Sequence, residues 1–213
     1  PLSLCKTLFV GYTFLSIVNS FLEIIFSLTF VLIECTNSNE EHHYSLHQSF
    51  FVLYKARSLS LPLKNIENLD FGYQKKREVF SGLNLSLTGG HIYGLLGKNG
   101  AGKTTLLKLI GGLLFPLRGR IEVCDAIPRL RKPSFLSDIF FIPEEICLPD
   151  MKMKDYFPLI CRFYPKFDEE LLFHAMEIFE VSESDKMGQM SYGQRKKALI
   201  SLGIACNTRL LMM

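Results

Sequence analysis

The 213-residue sequence contains no tryptophan, and its six cysteines never fall into a C-x-x-C pair. Cys5, Cys35, Cys124, Cys147, Cys161 and Cys206 are too scattered for a zinc cluster or a disulfide framework, and they read as buried thiols of a reducing compartment. A large charge of one sign is missing too: 24 Lys and Arg stand against 21 Asp and Glu, a net +3. Over the first 65 residues Lys6, Lys55, Arg57 and Lys64 balance Glu23, Glu34, Glu40 and Glu41, so the small excess lies downstream and dispersed. Nucleic-acid binders gather Lys and Arg on one face, so no nucleic-acid partner is expected. Internal repeats and low-complexity blocks are absent as well.

What is present is apolar. With 48% hydrophobic and 21% charged residues, the chain can bury a core. The run from Leu8 to Leu32, "LFVGYTFLSIVNSFLEIIFSLTFVL", is long enough to span a bilayer, for which about 20 residues suffice; Asn19 and Glu23 interrupt it. It is a candidate N-terminal membrane helix. Residues 36–62 keep no sustained period and read as a linker, and His42, His43 and His47 there lack the Cys or Asp companions of a metal site. Residues 1–62 are thus expected to be an extension, with the ordered domain starting at Leu63.

From there the pattern is that of an α/β sheet. "KNIENLDFGY" reads as a strand, and "LNLSLT" alternates so that Leu83, Leu85 and Leu87 share one face. Gly89-Gly90 makes a turn into "HIYGLLG", a continuous apolar strand of the kind buried on both faces. Thr104 to Leu114 has helical spacing, broken near Gly111, Gly112 and Pro116; "GRIEVC" and "DIFFIP" are short strands; Asp168 is placed to cap the helical run after it.

Gly97-Lys98-Asn99-Gly100-Ala101-Gly102-Lys103-Thr104 satisfies G-x-x-x-x-G-K-[ST] between a strand and a helix. Glycines let successive N–H groups turn inward toward phosphate oxygens, and the helix N-terminus adds about half a positive charge. Lys103 is expected to reach the β- and γ-phosphates, and the Thr104 hydroxyl to ligate Mg²⁺. Such a loop implies a nucleoside triphosphate. About 90 residues on, "MSYGQRKKALISLGIA" opens a second helix with a Ser-x-Gly start, another anion-binding device; Leu199, Leu202 and Ile204 mark its buried side.

Together these segments resemble the ATP-binding cassette (ABC) family over about residues 64–213, most like the cassette subunits of bacterial ABC-2-type exporters. The family signature Leu-Ser-Gly-Gly-Gln stands as Met190-Ser191-Tyr192-Gly193-Gln194, and "FFIPEE" occupies the place of the segment ending in the family's Gln loop. Tyr73, 24 positions before Gly97, resembles the adenine-stacking aromatic. Two positions depart: Tyr192 replaces a Gly and Glu144 a Gln.

The resemblance implies a P-loop NTPase-type parallel sheet with an antiparallel β part, and a helical subdomain over about 149–187 that receives a membrane permease subunit. It implies ATP and Mg²⁺ as ligands. Tyr73, Gly97 to Thr104, Thr105, Ser191, Gly193 and Gln194 would contact nucleotide. Lys103, Glu144 and Ser191 would serve catalysis, and Thr104 with Glu144 would serve the metal. It further implies a second cassette, to which Ser191 is presented in trans, and a peripheral location on the cytoplasmic face of the membrane. The function implied is the ATP-binding subunit of an ABC transporter, an ATP hydrolase driving a permease. A soluble ABC-type ATPase or a non-hydrolysing regulatory module is the alternative. In the family an Asp and then a catalytic Glu follow the strand that "RLLMM" resembles. The cassette is therefore expected to be incomplete at its C-terminus, and this piece to bind nucleotide without turning it over.

Overall fold

The computed structural model describes residues 30–34, 51–54, 62–74 and 77–213, which divide after Phe135 into two compact units. In the first, β3 (Pro62–Gln74) pairs antiparallel with both β4 (Arg77–Thr88) and β6 (Arg118–Val123). The period-2 alternation on β4 works as expected: Leu83, Leu85 and Leu87 are buried while their neighbours are exposed. They meet Ile66 and Leu69 of β3, in register at Ile66 with Leu85 and Leu69 with Leu83. A bulge at Glu67-Asn68, where Asn68 has φ 47, keeps both apolar residues on that face although they are three positions apart.

After the Gly89-Gly90 turn, β5 (Ile92–Leu96) is buried almost throughout. It pairs parallel with β1 (Phe30–Glu34) and antiparallel with β2 (Phe51–Tyr54). Here the structure departs from the expected extension. The last three residues of the candidate membrane helix 8–32 lie in β1 and are extended, and the expected linker 36–62 contains β2 and ends on the first residue of β3. "FVLIE" and "FVLY" are short β-branched and aromatic runs, and a buried strand such as β5 needs backbone partners on both edges. The remainder of 8–32, and His42, His43 and His47, lie outside the described residues. Among the described residues no helix is long and apolar enough to cross a membrane.

Helix α1 (Lys103–Ile110) follows β5. It ends at Ile110 with Gly111 as its C-cap, at the break expected near Gly111 and Gly112. Gly112, at φ +67, presses on the Pro128 carbonyl so closely that a Cβ would lie 2.3 Å from its oxygen, and Arg131 donates to the Gly111 and Gly112 carbonyls. Those contacts take over the carbonyls that a further helical turn would have used. The short helix α2 (Pro133–Leu136) runs to the division between the units.

In the second unit β7 (Ile139–Phe141) pairs parallel with β8 (Leu210–Met212), the strand read from "RLLMM". Between Pro149 and Met187, where a helical subdomain is expected, lie α3 (Met153–Ile160) and α4 (Glu169–Ile178). Asp168 caps α4 as expected, accepting from Leu171 N at 3.0 Å. Helix α5 (Tyr192–Ala205) packs so closely on the β7–β8 pair that a Cβ on Gly203 would fall 2.8 Å from Leu211 Cδ1 and 2.9 Å from Phe140 Cδ1. From Ala198 on it is buried nearly all round: Leu199 and Leu202 lie inside as expected, and Ile204 is half-buried.

Candidate nucleotide-binding site

In the first unit, residues 97–102 turn from the end of β5 into α1. Ala101 N–H donates to Lys98 O at 3.1 Å, closing the loop, and Lys98, Asn99 and Gly100 form its exposed rim. Gly102 is the helix N-cap at φ 93, a conformation that L side chains rarely adopt. It also has no room for one. A Cβ there would meet Phe80 Cζ and Val79 Cγ1 at 2.8 Å, so β4 presses directly on the loop. The first helical bond runs from Leu106 N–H to Gly102 O at 2.8 Å, so the helix itself gives Thr104 and Thr105 N–H no acceptor. These donors, with the helix dipole, favour an anion at this end.

Lys103 is buried, and its Nζ donates to Gly97 O at 2.6 Å and Lys98 O at 2.9 Å. The ammonium is thus folded back over the loop that opens α1. A desolvated cation bound by two carbonyl dipoles is strongly held, and it adds a full charge to the dipole. Thr104 supplies one hard oxygen. Mg²⁺ bound to phosphates needs only one or two protein ligands, the rest being phosphate oxygens and water. Among the described residues no group of three or more His, Cys, Asp and Glu could hold a metal. The donor set here fits a cation carried in with phosphates, not a metal cage.

Tyr73, near the end of β3, shares a 2.9 Å hydrogen bond between its hydroxyl and Thr105 Oγ1. Phe71 meets the Tyr73 ring edge-on, centroids 5.1 Å apart at 85°. Tyr73 as a whole is nevertheless 56% exposed. Tyr73 and residues 97–105 are therefore gathered in one unit around one helix N-terminus. The spacing of the motif did not reveal Phe71, Phe80 and Val79 as its supports. A signal existed for Phe71, which stands two residues before Tyr73 on the same strand.

The second unit holds the remaining expected residues. Ser191 is the N-cap of α5 in a reciprocal capping box: its Oγ accepts from Gln194 N at 3.3 Å, and Gln194 Oε1 accepts from Ser191 N at 2.9 Å. Because Ser191 Oγ acts as an acceptor in the cap, its own proton can be donated to a further oxygen. A Cβ on Gly193 would meet nothing within 4 Å, so that position leaves open space beside Ser191. Arg195 braces the turn from behind, donating to Met190 O at 2.9 Å and Gly188 O at 3.2 Å; the motif alone did not single it out. Glu144 is exposed in the loop after β7, and its backbone carbonyl accepts from the Tyr192 hydroxyl at 3.0 Å. The two departures from the family pattern are thus joined to each other.

Comparison with known proteins identifies the family of the chain. Residues 80–213 match the family described as ABC transporter. The chain is 31% identical over 137 residues to the ABC transporter ATP-binding protein YtrB of Bacillus subtilis, covering 64% of this chain and 47% of that protein. It is 32% identical over 153 residues to the molybdate import ATP-binding protein MolC of Haemophilus influenzae, covering 70% of this chain and 58% of that one. The chain spans about half the length of the curated relatives it matches. Among solved structures, the ATP-binding subunit of an ABC transporter superposes with a TM-score of 0.61 over 68% of this chain and 63% of that one; at 22% identity the likeness is one of fold.

Proposed function

The chain belongs to the ABC transporter family, and from that premise we propose that it binds ATP as the nucleotide-binding part of a transporter's ATPase subunit. The observation that carries this reading is the phosphate loop: a strand, a glycine turn packed against β4, and a helix N-terminus with the Lys103 ammonium folded over it. In this reading the N–H groups of the loop and of the first turn of α1, other than that of Ala101, cradle the β- and γ-phosphates. Lys103 exchanges its carbonyl partners for phosphate oxygens, and Tyr73 stacks on the adenine. Mg²⁺, with Thr104 as its protein ligand in this unit, would neutralise charge on the phosphates. Gln194 and Gly193 shape the turn on which the Ser191 hydroxyl is offered to the γ-phosphate held by a second cassette. The cap geometry supports that role, since Ser191 Oγ already accepts from Gln194 N–H and can donate its proton outward.

ATP hydrolysis in the family is positioning and charge stabilisation more than covalent work by the protein. Coupling to a membrane permease at the cytoplasmic face, through the segment around α3 and α4, completes the proposed cycle. The experiment is calorimetric titration of the chain with Mg-ATP. Lys103→Ala should remove most of the binding, because it takes away the one full positive charge folded over the loop. Unchanged affinity in that variant would reject the site.

A further inference from the structure

Among the described residues ten large apolar side chains are exposed, and five of them, Leu113, Phe115, Leu117, Ile127 and Leu130, fall between positions 113 and 130 of the first unit. The fold gathers four of the five. Gly112 presses on the Pro128 carbonyl, Arg131 donates to the Gly111 and Gly112 carbonyls, and the Arg129 guanidinium lies 5.8 Å from the centre of the Phe115 ring. The stretch after α1, with Leu113 and Phe115, therefore lies against the 3-10 turn Pro128–Leu130, which Ile127 enters and Leu130 ends. Apolar side chains gathered in this way mark a contact surface, whereas scattered ones do not. The charges beside them are of one sign: Arg129, Arg131 and Lys132 are exposed, and no acidic residue stands between Ala126 and Ser137. The acids nearest in sequence are Glu122, paired with Arg120 at 3.0 Å, and Asp125 on the tight turn from Val123 to Ala126.

We propose that this surface, centred on Phe115 and Leu130, binds the anionic face of a lipid bilayer. The core of a protein–protein interface is depleted of charge, whereas here cations are interleaved with the apolar groups. A bilayer suits that mixture. It takes apolar side chains into the boundary between headgroups and acyl chains, while its phosphates and carboxylates meet Lys and Arg. Leu113, Phe115, Ile127 and Leu130 supply the apolar part; Arg129, Arg131 and Lys132 supply the charge. Because the Arg129 guanidinium already lies over the Phe115 ring, the ring can enter with its cation alongside. Long basic stems let the charged heads stay at headgroup level. The cassette thereby gains a lipid contact of its own, in addition to the coupling to a permease proposed above.

The chain has no tryptophan, so in the full chain Phe115→Trp reports from this surface alone. On titration with vesicles of phosphatidylcholine and about 30% phosphatidylserine, its emission should move to the blue and be quenched by brominated acyl chains. Vesicles of phosphatidylcholine alone should give neither response. In the Phe115→Trp background, Arg129→Gln with Lys132→Gln should weaken binding about 20- to 30-fold, near fivefold for each charge removed. Leu130→Ser in the same background should weaken it about 3- to 10-fold, as expected for an apolar side chain already half in water. Phe163, 71% exposed in the second unit, supplies the control: Phe163→Trp should be neither shifted nor quenched. Each variant is checked for native circular dichroism. Emission from Phe115→Trp that stays unshifted overturns the proposal. If the chain floats with the vesicles all the same, another segment binds them, the run from Leu8 to Leu32 included. Equal response with and without phosphatidylserine, or equal quenching of Phe163→Trp, overturns it too. So does undiminished binding in Leu130→Ser, since the surface would then attract any polyanion through charge alone.

Discussion

Replacing Gly102 by alanine tests how the phosphate loop is held. Two separable costs arise. A non-glycine residue at φ 93 is strained by about 1–2 kcal/mol. The new Cβ would also lie 2.8 Å from both Phe80 Cζ and Val79 Cγ1, and forcing a methyl into a packed site costs about 1–3 kcal/mol. Gly100→Ala supplies the control. Gly100 has φ +86, nearly the same backbone, but its Cβ would meet nothing within 4 Å, so only the strain applies. In urea denaturation without nucleotide, Gly102→Ala should therefore be less stable than Gly100→Ala by about 1–3 kcal/mol, the packing cost alone. In a Phe80→Leu background the gap should narrow, because the ring that crowds the position is gone. Equal destabilisation by the two alanines would refute the argument: β4 would not be bracing the loop, and glycine at 102 would be required for backbone conformation only.

Asp168→Ala removes the N-cap of α4 and should cost about 1 kcal/mol in the same assay; no change would mean that the helix start is held by packing alone. Gly203→Ala gains up to about 1 kcal/mol of helix propensity but drives a methyl against Leu211 and Phe140, so a net loss of about 1 kcal/mol is expected, and stabilisation would contradict the observed closeness of α5 to the strands. Burial, with a smaller contribution from Cys161, pushes the Cys206 thiol up to about 12, so at pH 8 iodoacetamide should label exposed Cys147 and spare Cys206 in the native chain. Above about pH 9 the unfolded chain ionises this thiol while the folded chain keeps it protonated, so stability should fall as pH rises toward 12; a flat alkaline profile would rule that out.

Much of the site was legible before any coordinates, because its demands are local. A G-x-x-x-x-G-K-[ST] loop needs glycine where the backbone turns left-handed, and a strand before it and a helix after it; all of these are written in one consecutive stretch, Ile92 to Ile110. The Ser191 cap and the Asp168 cap were legible for the same reason: a side-chain oxygen three residues before an amide is a short-range relation. Alternation on β4 likewise follows from the period of a pleated strand.

Other features were out of reach of local pattern. The pairing of β5 with β1 and β2, drawn from a stretch that reads as membrane helix and linker, depends on which strand edges need partners. The end of α1 at Gly111 was legible, but not that Pro128 and Arg131 meet Gly111 and Gly112 there from across a strand. Most telling are the side-chain tips: Tyr73 on Thr105, Tyr192 on the Glu144 carbonyl, Phe80 and Val79 against Gly102. The sequence by itself determined which backbone segments could hold phosphate and where the helices that present them begin. Only the tertiary structure decided which distant side chains brace those segments, since a contact between residues 32 or 48 positions apart depends on the offset and angle of whole elements, and no local period or turn residue encodes that.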